Sequence, residues 1–475
     1  MTDRENRSEV RAGRKRPHAM NMNLNYLSML AARLKHVRPR HLAYLRMALG
    51  RAVFWGGAIV VGLLAVAFAR LSDTTSSFFH AIHERMPLLP LLITPLFGAI
   101  CVLVTRRYFP AAAGSGIPQT LAEMRRGEEG WSPLLSLRIA AGKICVGAVA
   151  VGSGFSLGRE GPTVQVGASI MAAVHDHLPK SLGIRRHHLL VAGGAAGIAA
   201  AFNTPLAGVL FAIEEMSRSV ESRMSGLVIT AIVLAGVVSK VFMGGGHYFG
   251  HVLIEGDGRV LVASIALATL STGLAGGLFA RMLILAATRW TGHMADYRTQ
   301  HPVSFAALCG LLVAVIGVVS GGITFGSGYE QTLQVLHGNA ELPWYFGPAK
   351  FVATVTAYLS GLPGGVFAPS LSIGAGIGNT LSDLLGTPAT QSMLIALCMT
   401  GFLAAVTQAP ITSFVIVMEM VDGYSLVIGL MATALLAAAI SKFLSPPLYH
   451  ALSQNEYNKA RESERQVGAE AKAAT

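Results

Sequence analysis

Charge is what this chain has least of. Only 13% of its 475 residues are Asp, Glu, Lys or Arg, where soluble domains carry roughly a quarter. A water-facing surface of ordinary composition is thereby excluded. Cysteine is equally sparse: Cys101, Cys145, Cys309 and Cys398 stand singly in apolar segments, which rules out metal-ligand spacing and gives no basis for a disulfide framework. No long apolar run precedes residue 52, so no cleavable secretory leader is expected. No strand pattern precedes the glycine motifs, which argues against a phosphate- or dinucleotide-binding loop. No constellation of nucleophile, base or metal ligands accompanies the paired Glu214 and Glu215, so a membrane-embedded enzyme, a cofactor and a metal are all unexpected.

What fills the space is apolar. Hydrophobic residues make up 52% of the chain, with 53 glycines, and the mean hydropathy is +0.53. Apolar runs recur at 52–69, 88–104, 227–243, 261–280, 303–319 and 426–440. Several approach the roughly 20 residues that cross a bilayer. Others are short or broken by Gly and Pro, and irregular backbone survives at membrane depth only where protein or a watery cavity satisfies it. The net charge of +12 is concentrated early: twelve Lys and Arg lie between positions 4 and 51, against Asp3, Glu5 and Glu9. Positive charge flanking the first span places the N-terminus in the cytoplasm and accounts for the basic segment without a nucleic-acid partner. Residues 24–49 mix apolar and basic side chains, as an amphipathic helix on the inner surface would. The run Arg185-Arg186-His187-His188 reads as a solvated basic loop.

The chain repeats itself. AGKICVGAVAVGSGFSLGREGPTVQVGASI around Lys143 matches PAKFVATVTAYLSGLPGGVFAPSLSIGAGI around Lys350, with lysine and proline 19 residues apart in both copies. AAFNTPLAGVLFAIEEM around Pro205 matches AVTQAPITSFVIVMEM around Pro410, and Gly114-Ser115-Gly116 echoes Gly326-Ser327-Gly328. Duplicated halves with interrupted apolar segments at matching places point to a transporter with its site between the repeats; the repeat alone leaves parallel and inverted arrangements open. Where the copies differ, function is expected. Glu160 stands opposite Phe367 and Glu215 opposite Met420, whereas Glu214 is matched by Glu419.

Three segments share a design of glycines followed by a helix-opening proline: Gly114, Ser115, Gly116, Ile117, Pro118; Gly158, Arg159, Glu160, Gly161, Pro162; and Gly365, Val366, Phe367, Ala368, Pro369. Proline suits the first helical turn, where its missing N–H is not needed. Each segment therefore predicts a helix start whose unpaired N–H groups and positive dipole end face one point. Several such ends bind a small anion without a full counter-charge, weakly enough to release it. Glu160, a carboxylate in an apolar segment, is the sharpest functional candidate: ionised, it competes with the anion for that point, and protonated, it leaves. Ser115 and Tyr449 offer hydroxyls. Lys143 and Lys350 either balance buried carboxylates or reach to the interface.

GSGIP, GREGP and GVFAP, with FNTPLAGVLFAIEEM between the last two, closely resemble the CLC family of chloride channels and proton/chloride exchangers, over residues 50–450. The resemblance implies an all-α membrane protein, an inverted repeat of tilted and broken transmembrane helices, assembled as a homodimer with one pore per subunit. It implies a basic N-terminal segment (1–51), two transmembrane repeats (52–250 and 251–450) and a short polar tail (451–475), in the compact prokaryotic form without C-terminal nucleotide-binding domains, in a bacterial inner membrane. By motif, Ser115, Val366, Phe367 and Tyr449 are the expected chloride ligands, although the family usually has Ile at position 366. Glu160 is the expected external gate and proton carrier, and Glu215 the internal proton-transfer carboxylate. Channel members typically have an apolar residue at the latter position, so Glu215 favours chloride/proton antiport over the alternative of a passive gated channel. Ser115 favours chloride, since nitrate-preferring relatives carry proline there.

Overall fold

The computed structural model describes residues 39–127, 134–175, 177–178, 184–217, 226–244, 246–252, 258–385 and 391–473. The chain divides into two compact units, Met1–Gly50 and Arg51–Thr475. In the first, only the helical residues from Pro39 onward are described, so the expected surface helix lies outside the described residues up to position 38.

The described residues form eighteen α-helices and no strand beyond two isolated bridges. Eight are α1 (Pro39–Arg85), α2 (Pro90–Tyr108), α3 (Ile117–Arg126), α4 (Leu137–Gly152), α5 (Glu160–His175), α6 (Arg186–Phe202), α7 (Pro205–Phe211) and α8 (Gly226–Met243). A second series follows in the same order: α9 (Gly258–Thr288), a short α10 (His293–Gln300), α11 (Pro302–Val319), α12 (Tyr329–Leu336), α13 (Phe346–Leu359), α14 (Phe367–Leu385), α15 (Gln391–Thr407), α16 (Pro410–Val421) and α17 (Val427–Lys442). Apart from α10, each helix has its counterpart in the first series. A last helix, α18 (Leu448–Ala473), stands outside the repeat and takes in the polar tail.

Among the described residues, six segments are long and apolar enough to cross a membrane: Tyr44–Arg85, Pro90–Tyr108, Gly226–Met243, Val260–Thr288, Pro302–Val319 and Tyr424–Lys442. They coincide one for one with the six runs read from the sequence. The glycine-proline segments end up between these spans, as starts of α3, α5 and α14, whose first turns are wholly buried. Small residues let these inner helices approach closely, the usual solution where lipid gives no hydrophobic drive. A Cβ on Gly167 of α5 would collide with the carbonyl of Gly193 in α6, and one on Gly374 of α14 with the backbone at Cys398 in α15. The same device recurs in both halves.

The halves are related by a local two-fold axis. Gly158 and Gly365, equivalent positions, exchange backbone hydrogen bonds at 2.7 Å in both directions and pair antiparallel. Glu214, after α7, accepts the Ile411 and Thr412 N–H groups at the start of α16 at 3.0 and 2.6 Å. Glu419, in α16, accepts the Leu206 and Ala207 N–H groups at the start of α7 at 3.3 and 2.8 Å. A contact in which each residue meets its own equivalent, reciprocally, is the mark of two-fold symmetry. The fold is the inverted repeat that the family resemblance implied.

One expectation is corrected. Arg186 does not lie in a solvated loop: it begins α6, is buried, and its guanidinium donates to the buried Glu123 carboxylate at 2.8 Å. In an apolar surround, a charge is retained when it is paired, and four basic residues in a row concealed that one of them has a partner 63 positions earlier.

Candidate functional site

The three glycine motifs meet. Gly114 N donates to Leu362 O at 3.2 Å and Gly364 N to Gly114 O at 3.1 Å, so the GSGIP loop is tied to the GVFAP loop, which is itself tied to GREGP through Gly158 and Gly365. Gly114 and Gly116 take positive φ of 72° and 106°, the region that favours glycine. Gln119 and Gln165 hold this loop. Gln119 Oε1 accepts the Gly116 N–H and its Nε2 donates to Ala113 O, both at 2.9 Å, while Gln165 Nε2 donates to Ala111 O and Leu134 O.

The two buried lysines perform one task twice. Lys143 Nζ donates to the carbonyls of Ala112 and Gly114 at 2.8 and 2.6 Å. Lys350 Nζ donates to those of Thr324 and Gly326 at 2.9 and 2.6 Å. They clamp equivalent loops ahead of α3 and α12. Sequence left them between two other roles; a lysine at a fixed distance from both glycine motifs in both repeats was the signal available.

Ser115, Val366, Phe367, Glu160 and Tyr449 are all buried around this junction. The Phe367 ring stacks on Tyr449, with centroids 5.7 Å apart and planes within 8°, and has Phe202 and Phe211 at 6.0 and 6.4 Å. That stack fixes the direction of the Tyr449 hydroxyl. Ser115 Oγ and Tyr449 OH lie close to one another, and neither makes a hydrogen bond of good geometry to protein. Ser115 Oγ also lies against the backbone of Gly161, where a Cβ would overlap it.

The Glu160 carboxylate folds back over the helix starts. It lies beside the backbone N–H groups of Glu160 itself and of Ala368, in the first turn of α14. It lies so close above Gly158 that a Cβ there would overlap Oε2, and that oxygen is buried without a partner. The carboxylate thus sits where two helix N-termini offer orphan donors to an anion. Buried polar atoms that lack a protein partner call for a functional reason, and here three of them, on Ser115, Glu160 and Tyr449, converge.

Beside Arg159, the neighbour of Glu160, lies a cavity of about 880 Å³, lined by the end of α1 (Asp73, Ser77, His80, Glu84), by Arg159 and His247, by the 325–328 loop and by the start of α12. Arg159 pairs with Asp73 and donates to Ala69 O at 3.0 Å. Glu214 and Glu215 share a π-helical turn, Ala212–Ser217, that continues α7. Such turns are frequent at functional sites. The two part company there: Glu214 caps α16, while Glu215 is buried, within electrostatic reach of Tyr449. Of the four cysteines, Cys101, Cys309 and Cys398 are buried in packing positions and Cys145 is exposed.

An integral membrane protein of duplicated, broken helices around a buried polar centre is the class that this fold and site define. Residues 97–442 match the family described as voltage gated chloride channel. The chain is 31% identical over 433 residues to the H(+)/Cl(-) exchange transporter ClcA of Cronobacter sakazakii (strain ATCC BAA-894), across 87% of this chain and 90% of that protein. The chain belongs to the voltage gated chloride channel family, a family of transporters and channels and not of enzymes. Among solved structures, a slow cyanobacterial Cl-/H+ antiporter superposes with a TM-score of 0.74 at 23% identity, covering 86% of this chain and 98% of that one. A CLC-type fluoride/proton antiporter superposes with a TM-score of 0.69 at 22% identity, over 86% and 98% of the two chains. At these identities the superpositions speak for the fold alone.

Proposed function

We propose that this chain is a secondary active antiporter that exchanges chloride for protons. The observation that carries the reading is the position of Glu160: its carboxylate lies across the N-terminal ends of α5 and α14, where a chloride ion would bind. A carboxylate and an anion cannot both hold these donors. Protonation of Glu160 neutralises it and lets it swing outward, so that chloride takes the position; deprotonation returns it and expels the ion. Proton uptake and anion movement are thereby the same event. Ser115 and Tyr449 supply hydroxyl donors to chloride, and Val366 and Phe367 backbone N–H groups, with no formal positive charge to trap the ion. Glu215 relays the proton between Glu160 and the cytoplasmic side. The name of the curated relative, an exchange transporter, supports this reading over a passive channel.

By the positive-inside rule, the basic N-terminal segment lies in the cytoplasm, and the cavity above Arg159 faces outward. A bacterial inner membrane and a homodimer with one pore per subunit complete the proposal. The test is purified protein in liposomes under an imposed chloride gradient, with external pH recorded. Sustained proton movement against its own gradient, driven by chloride, is the expected result. Rapid chloride flux with no proton pumping would replace the antiporter with a channel.

A further inference from the structure

On the rim of the same cavity, outside the machinery described above, two imidazoles and a carboxylate converge. The ligand atoms of His247, His251 and Asp422 all lie within 4.8 Å of one another. His247 Nε2 is 3.5 Å from Asp422 Oδ1, and His251 Nδ1 is 2.6 Å from Asp422 Oδ2. We propose that His247, His251 and Asp422 form a binding site for a divalent transition metal, zinc above others, on the water-facing side of the protein.

The groups that hold these side chains support it. His247 Nδ1 lies 2.8 Å from the Glu419 carbonyl. A carbonyl only accepts, so in the neutral ring Nδ1 carries the proton and the lone pair is on Nε2, the atom that faces Asp422. A ligand histidine held in this way by a backbone carbonyl is the usual arrangement at protein metal sites. The backbone is held as well. Phe249 N donates to Met420 O at 2.9 Å and Val252 N to Val421 O at 3.3 Å, so the 246–252 segment is stitched to the end of α16. His337 Nε2 meets Phe249 O at 2.7 Å from a third element. Asp422 ends α16 with φ of 55° and its N–H bonded to Met418 O. Two of the three ligands are therefore set before any ion arrives, and the third, His251, is an exposed side chain able to close on it.

The donor set selects the metal class. Two neutral nitrogens and one oxygen suit zinc and its neighbours, while calcium and magnesium prefer all-oxygen shells. Tetrahedral ligands about 2.0–2.1 Å from zinc stand roughly 3.3 Å apart, close to the observed His247–Asp422 separation, and the exposed fourth position is left to water. His247 also lines the cavity into which Arg159 projects, one residue from Glu160. A bound ion would thus place two positive charges at the outer mouth of the anion path.

The test uses the purified full chain in detergent with its affinity tag removed. Equilibrium dialysis with zinc, and the visible absorption of bound cobalt(II), should give one tight site per chain. Asp422→Asn, which keeps a residue tolerant of positive φ, and His251→Ala should each weaken it by about 10- to 100-fold. Both variants should retain metal-free anion transport, which shows that they are folded. No stoichiometric zinc binding by the parent chain would overturn the proposal. So would undiminished binding in both variants, or calcium binding as tight as zinc.

Discussion

Burying a carboxylate in a membrane protein is costly, and this chain buries both Glu160 and Glu215 almost completely at positions where its own second repeat has Phe367 and Met420. The duplication shows that the fold does not need them, so their removal should alter transport more than stability. Glu160→Ala is expected to abolish proton coupling and leave passive chloride flux, because an alanine leaves the helix starts open to the ion at all times. Glu215→Val should also uncouple protons, but by interrupting the relay, with the gate still able to close. Parallel chloride-efflux and proton-uptake recordings in liposomes separate the two. Coupling retained in either variant removes that residue's role. At this scale much was legible, because Ser115, Glu160, Val366 and Phe367 lie in or beside glycine-proline breaks. The capping role of Glu214 was not: the repeat sets it apart from Glu215, but only the position of α16 makes it a cap. The Glu123–Arg186 pair was invisible for the same reason, as neither partner carries a local pattern that names the other.

At the scale of helices, α7 and α16 are seven and twelve residues long, too short to be stable alone, and each begins with a proline and lacks a local side-chain cap. Each takes its cap from the carboxylate that follows or ends the other. Removing one leaves two N–H groups without an acceptor at a partly buried helix start. Glu214→Ala and Glu419→Ala should therefore each lower stability by about 0.5–2 kcal/mol, the usual cost of losing an N-cap, seen as a fall in the thermal midpoint of the detergent-purified protein. Proton coupling should survive in Glu214→Ala. Loss of coupling there, with stability unchanged, would move the relay from Glu215 to its neighbour. The six long spans were legible from hydropathy alone, since length and apolarity are what the bilayer demands. Short helices such as α12, and the course of α18 through a polar segment, were not, because tertiary contacts and not composition sustain them.

For the whole molecule, the two-fold axis through the Gly158–Gly365 bridge has a directional consequence. The first repeat contributes the helix starts of α3 and α5 to the centre and the second that of α14, so one centre is shared by two halves of opposite orientation. The duplication announced a shared centre, but sequence offsets are the same for parallel and inverted copies; only a residue found paired with its own equivalent distinguishes them. Sidedness then rests on the basic N-terminal segment, and it can be tested at the cavity. Ser77 lines that cavity on an exposed face of α1. The one exposed native thiol, Cys145, is replaced by serine to clear the background. In that chain, Ser77→Cys should react with a membrane-impermeant maleimide added outside intact cells, and Lys459→Cys, on the exposed face of α18, only after the membrane is opened. The reverse pattern would put the cavity and the Glu160 gate on the cytoplasmic side. Protons would then reach Glu160 from within, and the order of the relay through Glu215 would have to be inverted with it.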